Sequence, residues 1–260
     1  MQDTVKMKGV ILAAGRGVRM KPLTDITNKM LLPIFDRPMI ITPIESFRSA
    51  GITEICLITN HDHLESFKKF LGDGSAFGVK ITYAIQPKPA GIADALLYAE
   101  KFAEGSKIVL LLGDNIFEKV SIPDSATRDD YSYIFIKDVK NPEIFGVAEM
   151  EGDRVINITE KPKAPKTNHI ATGLYIYPPD VFNVIRSTTP SDRGELEITT
   201  VNNHYITAGK MKAIKVDGYW FDAGTLDSLL RASILRAVSV SPEILKGIDR
   251  EKLIKILTET

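Results

Sequence analysis

Between residues 9 and 112, short apolar runs alternate with stretches of helical periodicity, and this alternation restricts the chain more than any other feature. The runs at 9–13, 54–59, 80–85 and 107–112 have the length and apolar character of buried strands. Between them, residues 38–50 carry Met39, Ile40, Ile44 and Phe47 at helical spacing and stop before Gly51, and 63–71 and 92–102 read as two further helices. A strand-helix-strand-helix order predicts an α/β fold with a mostly parallel sheet and helices on both faces, whose ligands lie beyond the carboxyl ends of the strands. The loop at Gly15, the turn at Gln86 and Asp114 each follow such a strand, so they are expected to share one crevice.

Beyond Asn115 the rhythm changes. Residues 131–137, 146–150, 155–160 and 171–177 are strand-like with little helix between them, which predicts sheet extension and hairpins on the second side of the crevice. Residues 179–187 and 197–208 read as helices, 212–216 as extended chain and 225–238 as a helix capped by Thr225. At 260 residues and 44% hydrophobic, the chain is long enough for a large core. The expected organisation is one domain over 1–240, with halves at about 7–120 and 121–240 and a charged, amphipathic helical tail over 241–260.

Lys plus Arg and Asp plus Glu number 33 each, so no bulk field draws nucleic acid or an anionic membrane, and any anion must be met by local charge. The single cysteine, Cys56, lies in Ile55-Cys56-Leu57-Ile58 and reads as a buried thiol. No stretch approaches the ~18 apolar residues of a membrane helix, and the first apolar run is too short for a secretory leader, so a cytoplasmic protein is expected. His61, His63, His169 and His204 show neither zinc spacing nor a Ser/His/Asp order and read as structural or solvated.

The first strand runs into Ala14-Gly15-Arg16-Gly17-Val18-Arg19. Glycines let backbone N–H groups approach phosphate oxygens, Arg19 offers a planar fork, and Lys29 adds a point charge, so the loop suits a polyphosphate. A Walker A loop is absent, and a dinucleotide fingerprint fails because Met20 stands where the third glycine belongs.

With Pro22-Leu23-Thr24 and Lys29-Met30-Leu31-Leu32-Pro33, this loop resembles the signature of the sugar-1-phosphate nucleotidyltransferases, a strand followed by G-x-G-T-R-[LM], P-L-T and K-x-L-[LM]-P. The strings Arg193-Gly194-Glu195-Leu196-Glu197-Ile198-Thr199, Leu71-Gly72-Asp73-Gly74 and Gln86-Pro87 are similar to those of the glucose-1-phosphate thymidylyltransferases in particular. The similarity runs from about Met7 to about Val238 and implies a Rossmann-like nucleotidyltransferase fold with an inserted sugar-binding β region. Departures from the pattern are Val18 for threonine, Met30 for glutamine and Phe145 for tyrosine.

The resemblance also implies a site. Ala14, Gly15, Arg16, Gly17, Arg19 and Lys29 would hold the triphosphate, Gln86 would read the pyrimidine edge, and Gly91 would support base and ribose through its backbone. Asp114 in Gly113-Asp114-Asn115 and Asp222 in Trp220-Phe221-Asp222-Ala223-Gly224-Thr225 match the two acids that hold one Mg²⁺ in that family. Two carboxylates are chemically sufficient, because Mg²⁺ takes phosphate oxygens and water for the rest of its shell. Lys161 in Glu160-Lys161-Pro162 matches a lysine that grips the sugar phosphate, Glu160 an acid that accepts from sugar hydroxyls, and Arg193 a second phosphate contact. Gly146 and Thr172-Gly173 match positions where backbone lies against the sugar. Arg19, Lys29, Asp114 and Lys161 are the residues expected to carry catalysis.

The implied reaction is attack of glucose 1-phosphate on the α-phosphorus of dTTP, giving dTDP-glucose and pyrophosphate with no covalent nucleophile. A uridylyltransferase, or a relative acting on another sugar 1-phosphate, is the nearest alternative, since Gln86 pairs equally well with uracil. The alternative of another class is a catalytically silent sugar-nucleotide sensor. Expected partners are dTTP or UTP and glucose 1-phosphate, without nucleic acid or membrane, and further copies of the chain, because homo-oligomers are usual in the family.

Overall fold

The apolar runs of the first half pair with one another, and the rest of the fold is laid beside them. The computed structural model describes residues 7–241, 243, 246–247 and 249–258. In chain order the elements are β1 (Lys8–Leu12), β2 (Pro33–Ile34), β3 (Arg37–Pro38), α1 (Ile41–Ser49), β4 (Glu54–Thr59), α2 (His61–Leu71), β5 (Lys80–Ile85), α3 (Ile92–Leu97), α4 (Glu100–Ala103), β6 (Ile108–Leu112), β7 (Asn115–Phe117) and α5 (Asp124–Arg128). They continue as β8 (Ser132–Asp138), β9 (Gly146–Glu151), β10 (Arg154–Glu160), β11 (His169–Tyr177), α6 (Val181–Ser187), α7 (Ile198–Thr207), β12 (Met211–Lys215), β13 (Trp220–Asp222), α8 (Leu226–Val240) and α9 (Arg250–Thr258).

Nine strands form one mixed sheet in the order β5-β4-β1-β6-β11-β8-β12-β10-β9. The first four are parallel, with Leu12 opposite both Ile58 and Leu112, so their carboxyl ends lie along one edge. Beyond β6 the direction reverses at β11, and β9 and β10 form an antiparallel hairpin, as the change of sequence rhythm predicts. The central strands are apolar on both faces because helices cover both. Ile11, Val109 and Leu111 pack with Ile44 and Phe47 of α1, Phe67 of α2 and Leu235 of α8. On the other face, Val10, Ile108 and Leu110 pack with Leu96 of α3, Ile185 of α6 and Val201 of α7. Gly9 permits the first of these contacts, since a Cβ there would lie 2.7 Å from the Phe47 ring.

Several boundaries depart from expectation for local reasons. The helix over 38–50 begins at Ile41 because Pro38 is taken into β3, opposite Pro33. α2 begins at His61 because Asn60 caps it, accepting from the His63 N–H at 3.1 Å. The predicted helix over 92–102 is two helices: Tyr98 N and Ala99 N bond three residues back, to Ala95 and Leu96, and the tightened turn separates α3 from α4. Thr225 caps α8 in a reciprocal box, with Ser228 N donating to its Oγ1 at 3.2 Å and its own N donating to Ser228 Oγ at 3.0 Å. Helix α5 and the two-stranded ribbon of β7 and β13 were not expected. Cys56 is fully buried, and burial pushes its thiol up to about 12. Among the described residues no helix is long and apolar enough to cross a membrane.

Candidate active site

The loop after β1 is held by a side chain from outside it. Buried Asn28 donates to the Ala13 carbonyl at 2.9 Å while its Oδ1 accepts from Met30 N at 2.9 Å, tying the loop to the turn that carries Lys29. Gly17 has φ +63°, and Thr24 Oγ1 donates to its carbonyl at 2.8 Å, which gives the Pro22-Leu23-Thr24 string a structural purpose. Lys29 runs along the loop, 3.7 Å from where a Gly15 Cβ would stand, and its ammonium pairs with Asp114. Met30 is buried with its sulfur against Gly113, whereas Val18 is 63% exposed at the loop surface.

Asp114 and Asp222, far apart in sequence, are set side by side. Gly113 N donates to the Leu12 carbonyl at 3.0 Å, which places Asp114 next to the loop. The β7–β13 ribbon puts Asp222 opposite Asn115, and Ala223 N donates to the Asp114 carbonyl at 2.8 Å. A Cβ on Gly224 would lie 2.5 Å from an Arg19 guanidinium nitrogen, 2.6 Å from Asp222 Oδ1 and 3.2 Å from Asp114 Oδ2, so three charged groups converge on space that only glycine leaves open.

The two acids differ in electrostatics. Burial disfavours ionised Asp114, but the Lys29 ammonium and the Asn115 amide outweigh it and hold the carboxyl below its usual range. Burial and then the charge of Asp114 push Asp222 above its usual range, against Arg19, which donates to its Oδ2 at 3.1 Å. Repulsion between two converging carboxylates is what a hard divalent cation relieves. Among the described residues no group of three or more His, Cys, Asp and Glu side chains could enclose a metal. Two carboxylates with room beside them are a donor set that a hard cation such as Mg²⁺ can use, because it keeps several positions for water and phosphate oxygens.

Asn115 joins these parts. Its Oδ1 accepts from Gly173 N of β11 at 3.0 Å and from Trp220 Nε1 of β13 at 2.8 Å, and its Nδ2 donates to Asp114 Oδ1 at 3.1 Å. Phe145 packs edge-on against Trp220 at 5.5 Å between ring centres.

Two adjoining cavities meet at Arg19, Asp114, Glu160 and Lys161. The first, about 600 Å³, is lined by Ala14, Gly15, Arg16, Gly17, Lys29, Gln86, Gly91 and Arg193. The second, about 620 Å³, is lined by Phe145, Gly146, Thr172, Gly173, Thr199 and Asp222. Lys161 adopts φ +44° at the end of β10, a strained left-handed backbone for a lysine, and its N–H bonds the Phe145 carbonyl at 2.9 Å. Its ammonium lies 3.8 Å from Glu160 Oε1, while Glu160 Oε2 accepts from Thr199 Oγ1 at 2.7 Å. Arg193 is held by Glu197, its Nη2 donating to Oε1 at 2.7 Å. The Thr172 hydroxyl turns away and donates to the Phe135 carbonyl at 2.8 Å, so only its backbone is left to meet a ligand.

On the base side, Gly91 has φ +108°, and a Cβ there would overlap the Leu196 carbonyl. Leu196 N bonds Ala90 O at 2.8 Å and Ala93 N bonds Leu196 O at 3.1 Å, so the Gln86–Gly91 turn is laced to the segment carrying Arg193. Gln86 Nε2 donates to Asp94 Oδ2 at 2.7 Å and to the Gly91 carbonyl at 3.3 Å. All the candidate residues thus line one cleft. Those overlooked in the sequence are Asn115, Thr199 and Glu197, which line the cleft, and Asp94, which stands behind Gln86. Glu197 was detectable, four residues after Arg193 in the same string, but no local signal pairs Asn115 with Trp220 or Asp94 with Gln86.

Residues 8–237 match the family model described as Nucleotidyl transferase. The chain is 42% identical over 234 residues to the glucose-1-phosphate thymidylyltransferase of Neisseria meningitidis serogroup A, covering 87% of this chain and 81% of that one. It is 38% identical over 252 residues to the enzyme of that name from Mycolicibacterium smegmatis, covering 94% and 88%. A Bacillus anthracis structure assigned as a glucose-1-phosphate thymidylyltransferase, in complex with a sucrose, superposes with a TM-score of 0.81 at 39% identity, covering 96% of this chain and 99% of that one. A UDP-glucose pyrophosphorylase complexed with UDP-glucose shares the fold at a TM-score of 0.78 and 23% identity, covering 90% and 99%. A loop, two acids and an E-K-P lysine brought to one cleft agree with these matches: the chain belongs to the nucleotidyl transferase family.

Proposed function

We propose that the chain is a glucose-1-phosphate thymidylyltransferase, transferring a thymidylyl group from dTTP to glucose 1-phosphate to give dTDP-glucose and pyrophosphate. The observation that carries this reading is the meeting of two cavities at Asp114, where Arg19 and Lys161 line both and Lys29 lines the first. That arrangement suits two anions that must be brought into contact. The nucleotide would occupy the cavity built mainly from residues 7–120, and the sugar phosphate the cavity built mainly from 121–240.

A phosphate oxygen of glucose 1-phosphate attacks the α-phosphorus, and the bond to the pyrophosphate oxygen breaks in line. The acceptor is already ionised, so no general base is required. Repulsion between the substrates is the main barrier to their approach, and Arg19, Lys29, Lys161 and Arg193 screen it while fixing orientation. Loop N–H groups from Gly15 to Arg19 face the triphosphate. Asp114 and Asp222 would hold Mg²⁺, which when bound offsets charge on the triphosphate and the departing pyrophosphate. Lys29 and Arg19, now paired with those acids, are positioned to turn to phosphate oxygens. Glu160, steadied by Thr199, would accept from sugar hydroxyls, and the Gly146 backbone would lie against the ring. A cytoplasmic location and assembly into a homo-oligomer belong to the same reading.

Pyrophosphate release with Mg²⁺, crossing dTTP, UTP, CTP, ATP and GTP with glucose 1-phosphate and other sugar 1-phosphates, tests it. The expected best pair is dTTP with glucose 1-phosphate. A best rate with UTP or another sugar renames the enzyme, and absence of release from folded protein overturns the assignment.

A further inference from the structure

We propose that Asp94 is a specificity-positioning residue: it holds the Gln86 amide in one orientation, so that the base site accepts an imide base and rejects cytosine. This rests on the proposed function, in which Gln86 faces the base.

A carboxamide offers a donor end and an acceptor end of nearly the same shape, so a glutamine alone can serve bases of opposite hydrogen-bonding pattern by turning over. Gln86 is not free to do so. It follows β5, its backbone N donates to the Thr59 carbonyl at 2.8 Å, and it is only 4% exposed. Asp94 stands in the first turn of α3 with its carboxylate 2.7 Å from Gln86 Nε2, and the Gly91 carbonyl is 3.3 Å from the same nitrogen. Both neighbours are acceptors only, so the nitrogen end must face them and both its hydrogens are used. Turning the amide over would set its oxygen against a carboxylate and a carbonyl inside a buried site. The end left for a ligand in the cavity is therefore Oε1, to which no described residue donates a hydrogen bond.

Where Oε1 faces ring N3 of the base, it selects an N–H at that atom. Thymine and uracil carry a hydrogen on N3; cytosine has a lone pair there, and two acceptors would face each other. An acid at this helix position also suits the helix dipole, but that alone would not require it to grip Gln86.

Calorimetric binding of dTTP and dCTP, with Mg²⁺, to the wild-type chain and to Asp94→Ala and Asp94→Asn tests the proposal without requiring turnover. Wild type is expected to favour dTTP by roughly 100-fold or more, as in sites built around a buried polar group. In both variants the carboxylate that forces the nitrogen end inward is gone and only the longer contact to the Gly91 carbonyl at 3.3 Å opposes turning, so the dTTP preference is expected to fall about tenfold or more, chiefly by a gain in dCTP binding. A general loosening of the fold would weaken both ligands and leave the ratio alone. An unchanged ratio in folded variants, or equal binding of the two nucleotides by wild type, overturns the role of Asp94 and leaves the proposed function standing. Wild type that binds neither nucleotide overturns the proposed function itself.

Discussion

Replacing Asn115 by alanine takes the acceptor from two buried donors at once, the Gly173 N–H at 3.0 Å and the Trp220 Nε1–H at 2.8 Å. Each buried donor left without a partner costs about 1–3 kcal/mol, so Asn115→Ala is expected to lose about 2–6 kcal/mol. That is a large share of the roughly 5–15 kcal/mol that holds a typical domain together. The decisive experiment is the double-mutant cycle with Trp220→Phe. In the wild-type background Trp220→Phe loses ring volume and one hydrogen bond, while Asn115 keeps Gly173 as a donor. In the Asn115→Ala background the same change removes one of the orphaned donors. The volume lost is common to both backgrounds and cancels, so the double variant should be more stable than the sum of the single losses by about 1–3 kcal/mol. Urea unfolding measures this, followed by circular dichroism because Trp220 is the only tryptophan. Losses that add within about 0.5 kcal/mol would refute the idea that Asn115 serves both donors.

Three further outcomes are expected. Asp222→Asn should raise the melting temperature of the metal-free protein at neutral pH while turnover collapses. The carboxyl of Asp222 is held above its ordinary 3.8, so ionising it costs the folded state; the gap to wild type should narrow as pH falls through the raised folded value and close below 3.8, where folded and unfolded chains are both protonated, and a lower melting temperature for the variant would refute the repulsion argument. Lys161→Ala, at a side chain half exposed to solvent, should raise KM for glucose 1-phosphate about tenfold or more with little change in melting temperature, and an unchanged KM would remove it from the sugar-phosphate site. Gly91→Ala should cost about 1–3 kcal/mol or more and weaken dTTP binding, because the φ of +108° and the Leu196 carbonyl leave no room for a methyl group; wild-type behaviour would show that the turn relaxes freely.

Residue order alone made legible the parts that depend on neighbours along the chain. Four apolar runs separated by amphipathic stretches lead to four parallel strands with their carboxyl ends aligned, because apolar period and run length are local properties. The family strings identified Gly15, Arg19, Lys29, Asp114, Lys161 and Asp222 as cleft residues, and all of them line it. Tertiary structure alone decided how those residues engage one another. The three-residue strands β7 and β13 carry too little periodicity to be read, yet their pairing is what sets Asp222 beside Asp114. Likewise, Thr172 turns its hydroxyl to Phe135, Asn115 serves Gly173 and Trp220, and Asp94 grips Gln86. Hydrogen bonds of this kind form only when separate segments are packed in register to within a few tenths of an ångström, a condition that the folded core imposes and that residue order along the chain does not express.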